Sequence, residues 1–76
     1  MTNKQIWETI AIDLKRAANY MAFGRVNRAE YYLAEAKNLY KTVKFNESLK
    51  RIEPFIKFSG NQEDILLSSS LIMSRI

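Results

Sequence analysis

Residues 17–36 read AANYMAFGRVNRAEYYLAEA, and this stretch decides the fold. Ala17, Tyr20, Gly24, Val26, Ala29, Leu33 and Ala36 punctuate two helical patterns joined by a tight turn. Small residues let two helices approach closely, and a glycine just past the last periodic residue stops the first of them. Asn27 and Glu30 have the spacing of a capping box, in which the Asn27 side chain accepts from the Glu30 N–H and the Glu30 side chain from the Asn27 N–H. That box predicts the start of the second helix. The local pattern is an αα-hairpin.

Outward from the hairpin, Thr2 and Gln5 make another capping box and predict a first helix from about Asn3 to Phe23. At 100° per residue, Ile6, Trp7, Ile10, Ala11, Leu14, Ala17, Ala18 and Met21 share one broad apolar face. The second helix is expected from about Arg28 to Lys44, with Ala29, Tyr32, Leu33, Ala36, Leu39, Tyr40 and Val43 on its face. A short connection between two long helices makes them antiparallel neighbours. Asn46 caps a third helix carrying Leu49, Ile52, Phe55 and Ile56, which Pro54 must kink or break because proline lacks an N–H. Gly60 and Asn61 end that segment and start a fourth helix, from about Gln62 to Arg75. Glu63 and Asp64 in its first turn and Arg75 in its last suit the macrodipole. The expected architecture is all-α: a single helical domain over residues 1–76, a small bundle of about four antiparallel helices built on the N-terminal hairpin.

The order small–x2–Tyr–x3–Gly–x–Val–x2–Ala–x3–Leu–x2–Ala over residues 17–36 resembles the tetratricopeptide family of helical hairpins. In that family these positions pack the two helices and their turn, so the resemblance implies a helical hairpin. The chain departs from the family pattern at Asp13, Arg16 and Lys41, where a bulky residue, a leucine and a proline are expected. Such repeats need about three copies to bury a continuous core. A second copy from Gly60 through Ile65 and Ile72 is degenerate.

Composition narrows the chemistry. The 76 residues contain no cysteine and no histidine, which removes disulfides, thiolate metal sites and the commonest general base and imidazole ligand. The eight carboxylates form no Glu-x-x-His pair, and Gly24 and Gly60 stand alone, so no phosphate-cradling loop exists. Ser68, Ser69 and Ser70 have no base nearby in sequence and read as a solvated or close-packed patch. No catalytic, cofactor-binding or metal-binding residue is expected, and the chain is expected not to be an enzyme. Neither a signal peptide nor an apolar run long enough to span a bilayer is present, so the expected location is cytoplasmic and no membrane partner is expected.

Two surface patterns remain. Lys37, Lys41 and Lys44 follow i, i+4, i+7 spacing, and Arg25 and Arg28 flank the hairpin turn; with a net charge of +4, these five are candidate phosphate contacts. The alternative is that the lysines complement the helix C-terminus and lay their stems over the core. The second pattern is surplus hydrophobics: Ile12, Arg16, Tyr20 and Phe23 form a second row on the first helix, and Tyr31 points away from the face of the second. With Arg25 these are candidate partner-binding residues, since aromatics and arginine anchor protein interfaces. Leu67 and Leu71 oppose Ile65, Ile72 and Ile76 on the last helix and are candidates for self-association as a homodimer. The competing reading buries these residues inside the bundle. The expected function is a non-enzymatic protein–protein interaction module, such as a small adaptor, inhibitor or assembly factor. The alternative is a small basic nucleic-acid-associated regulator.

Overall fold

Thr2 accepts from the Gln5 N–H at 3.1 Å while the Gln5 side chain accepts from the Thr2 N–H at 2.8 Å, and α1 (Asn3–Ala22) starts there as the sequence predicts. The computed structural model describes Met1–Ile76 and adds α2 (Val26–Tyr40), α3 (Glu47–Ile52), a 3-10 turn over Glu53–Phe55 and α4 (Gln62–Met73). No strand is present. Helix α1 packs against both α2 and α4 and is the central element. Its N-terminal residues Asn3, Lys4 and Trp7 line a crevice with Arg75 and Ile76, so α4 runs antiparallel to α1.

The turn between α1 and α2 follows from Gly24, whose φ of +73° is accessible to glycine at little cost. The Arg25 N–H donates to the Tyr20 carbonyl at 2.8 Å and the Gly24 N–H to the Met21 carbonyl at 3.1 Å, the paired bonds of a Schellman stop. This stop turns the chain so sharply that α2 begins at once, at Val26 rather than Arg28. Arg25 occupies the N-cap position and supplies no side-chain cap. The expected Asn27–Glu30 box is therefore absent, because Asn27 already lies inside the first turn.

The far end of α2 also differs from expectation. It stops at Tyr40, not Lys44, because α1 captures the chain that follows. Asn3 donates to the Lys44 carbonyl and accepts from the Lys44 N–H, both at 2.8 Å, and the Trp7 Nε1–H donates to the same carbonyl at 2.9 Å. Phe45 then meets the Trp7 ring edge-on at 5.0 Å, with Tyr40 edge-on at 6.0 Å and Phe58 4.8 Å from Tyr40. Beyond it, Asn46 caps α3 through the Leu49 N–H, and Pro54 converts its continuation into the 3-10 turn. Asn61 caps α4 through the Asp64 N–H, and α4 ends at Met73, short of Arg75.

Close approach of α1 to both neighbours depends on small residues. Ala11, Ala17, Ala18, Ala29 and Ala36 are buried, as are Ser68 and Ser69. Ser69 donates to the Ala11 carbonyl at 2.7 Å, and Ser68 donates to the Asp64 carbonyl at 2.9 Å while accepting from the Lys57 N–H. These two serines are close-packed; Ser70 is exposed. Trp7 is the largest buried side chain and ties α1, α2 and the α2–α3 connection together. Trp7→Ala is expected to destabilise the protein by ~3–5 kcal/mol. Urea unfolding checks this, and a loss below about 1 kcal/mol would show that the ring is dispensable.

Candidate functional site

The short sequence Arg-Ala-x-x-Tyr occurs twice, as Arg16-Ala17-Ala18-Asn19-Tyr20 on α1 and Arg28-Ala29-Glu30-Tyr31-Tyr32 on α2. In each copy the alanine is buried at the α1–α2 contact, while the arginine and tyrosine lie beside it at i−1 and i+3. Antiparallel pairing brings the copies together head to tail. Tyr20 and Tyr32 stack with centroids 5.7 Å apart and planes 3° from parallel. Arg16 of the first copy lies over Tyr32 of the second at 5.7 Å, and Arg28 of the second lies over Tyr20 of the first at 5.7 Å. The four side chains form a pseudo-two-fold cluster in which each helix supplies one arginine and one tyrosine to the other.

Around this cluster the surface is apolar and cationic. Arg16, Asn19, Tyr20, Phe23 and Tyr32 line a shallow groove of about 530 Å³, and Phe23 is 79% exposed at its edge. On the other side Asn27, Arg28, Tyr31 and Tyr32 line a second concavity of about 350 Å³. Tyr31 is 65% exposed and meets Tyr32 edge-on at 5.2 Å. Arg25 borders a third depression with Gly24, Val26, Asn27 and Arg28, next to the uncapped first turn of α2. None of the three arginines is in a salt bridge; the ion pair of this structure joins Lys57 and Asp64 at 3.9 Å.

Of the residues singled out in the sequence, Arg16, Tyr20, Phe23 and Tyr31 converge on this face with Arg28. Ile12 is 46% exposed, one turn along α1 from Arg16, and lines neither concavity. Tyr32 lies on the apolar face of α2, as its spacing predicts, and is half-buried against the core at the centre of the cluster, a second role that the apolar period does not reveal. The repeated pentapeptide was the available signal for it.

The lysines do not form the expected stripe. Lys37 lines a different groove, with Met21, Leu33 and Phe58, and Lys41 is the C-cap of α2. Lys44 lies outside the helix, with its main chain held by Asn3 and Trp7. Because the 15-residue α2 is about 22 Å long, Arg25 and Lys41 mark its opposite ends rather than one track. On α4, Leu67 is 58% exposed, whereas Leu71 is half-buried against the core.

Near Arg16 lies an unpaired carboxyl. Asp13 is 2% exposed, and its Oδ2 has no hydrogen-bond partner. Burial first, and the nearby Glu35 charge second, push its pKa up to about 6, with Arg16 opposing. Burial disfavours the charged form of a carboxyl, which is the larger of the two causes of the shift. No cluster of three or more acidic side chains gathers to hold a metal ion. No protein-family model, no curated protein and no solved structure matches the chain.

A raised carboxyl pKa makes the folded state hold its proton longer than the unfolded chain does. Stability from this group is thus present at low pH, falls as pH rises from about 4 to about 6, and stays lower above that. Asp13→Asn is expected to gain on the order of 2 kcal/mol at about pH 8 and far less at about pH 4. Urea unfolding of both proteins at the two pH values checks this, and an equal difference at both would contradict it.

Proposed function

We propose that the chain is a non-enzymatic protein–protein interaction module that binds its partner through the arginine–tyrosine face of the α1–α2 hairpin. The observation that supports this most is the cross-helix cluster of Arg16, Tyr20, Arg28 and Tyr32, with Phe23 and Tyr31 exposed on either side. Tyrosine and arginine carry much of the energy at protein interfaces because they offer large contact areas and planar donors with few rotors to freeze. Here their geometry is set before any partner arrives, which lowers the ordering cost of binding. The alternative, a nucleic-acid regulator, has less support. Phe23 and Tyr31 offer open ring faces to a base, but the lysines of α2 do not continue the cationic patch into a phosphate-binding track.

The test is affinity capture from the native host, with and without nuclease, comparing the wild type with a Phe23→Ser, Tyr31→Ser variant. These two side chains are exposed, so the variant is expected to keep its helicity by circular dichroism. A protein recovered with the wild type, resistant to nuclease and lost with the variant is the expected result. Recovery that disappears on nuclease treatment would favour the nucleic-acid reading instead.

Self-association through α4 is a second proposal, favoured by one observation: Leu66, Leu67 and Met73 are all exposed on a single short helix. A two-fold axis would let this patch cover itself, with Leu67 as its most exposed residue. Sedimentation over a micromolar dilution series is expected to show a dimer that Leu67→Glu converts into a folded monomer. A wild type that stays monomeric throughout would remove the proposal.

A further inference from the structure

The two guanidiniums of the cluster share an unusual combination: each is laid over an aromatic ring, yet neither has a carboxylate partner. A guanidinium stacked on a ring keeps its in-plane N–H donors free, and those donors match the two oxygens of a carboxylate. Two such forks stand at the ends of an apolar strip made by Tyr20 and Tyr32, with Phe23 and Tyr31 beside it. The charge around the strip is uneven. Asp13 and Glu35 lie near Arg16, whereas Arg28 and Arg25 share one depression with no acidic residue in its lining. The Arg28 end is therefore the stronger seat for an anion.

We propose that this face recognises an acidic segment of a partner protein, with a carboxylate forked by Arg28 beside Arg25 and an adjacent aromatic or aliphatic side chain laid on Phe23 or Tyr31. The inference rests on the binding-module reading above and adds the partner's chemistry to it. Charge complementarity selects this occupant over a second copy of the chain, whose net charge of +4 opposes self-pairing at a cationic face. It is favoured over a nucleic acid because the cations are compact. A phosphate backbone is held by an extended track, and the lysines of α2 do not extend this one.

The probe is a displayed random-peptide library, panned on the wild type and counter-selected on an Arg16→Gln, Arg28→Gln variant. Both arginines are exposed, and circular dichroism verifies that the variant is folded. Peptides recovered on the wild type alone are expected to be rich in Asp and Glu next to one aromatic or aliphatic residue. The best of them, labelled for anisotropy, should lose about tenfold in affinity or more on Arg28→Lys, since an ammonium neither forks nor stacks. It should also outcompete oligothymidine. Recovered peptides that need the arginine face but show no acidic excess would overturn the inference while leaving the binding-module reading intact. Failure to recover any peptide that depends on this face, or tighter binding of oligothymidine than of any peptide, would overturn both.

Discussion

Helix α1 is buried along two sides, and the contact lines that allow this are built from alanine and serine. Ala17 faces the α2 side with Ala29 and Ala36, while Ala11 meets Ser69 of α4. Small residues bring helix backbones together, and the long residues next to them then have no room to turn inward. Arg16 and Tyr20 flank Ala17; Arg28 and Tyr32 flank Ala29. Each pair must leave the contact at its rim, where it meets the pair from the other helix. The close helix contact and the arginine–tyrosine cluster are thus two results of one packing choice.

The other end of the molecule carries the fastening. Asn3 and Trp7 hold the Lys44 main chain, and the rings of Tyr40, Phe45 and Phe58 gather around the indole. The overall extents of 35 × 22 × 15 Å describe a thin slab, its shortest dimension little more than one helix with its side chains at about 10–12 Å. In such a slab α1 cannot be covered all round. Residues on its outer row, Ile12, Arg16, Asn19 and Phe23, are exposed for that reason.

Features set by neighbouring residues were legible in the sequence. The Gly24 stop, the Thr2, Asn46 and Asn61 caps and the break at Pro54 each depend on a few adjacent side chains and the main chain they serve. Features set by distant residues were not. Asn27–Glu30 has the spacing of a capping box, but the Schellman turn claimed Arg25 first and moved the helix start past it. Lys44 continues the period of α2, yet Asn3, 41 residues away in sequence, ends the helix before it. Arg16, Tyr20, Phe23 and Tyr31 could be picked out as surplus to one apolar face. Their assembly with Arg28 and Tyr32 required the antiparallel register, which is a property of two helices together.

The central claim is that the arginines are held across the helix pair before any partner binds, each by the tyrosine of the opposite helix. Side-chain methylene shifts of Arg16 and Arg28 report this directly, because a ring stacked against them moves their resonances upfield. In the free wild-type protein both arginines should be shifted, and Tyr20→Leu should return Arg28 towards unfolded values. Arg16 lies over the other ring and should keep an upfield shift in that variant. Arginine resonances at unfolded values in the wild type, or a Tyr20→Leu variant that leaves Arg28 unmoved, would contradict the account.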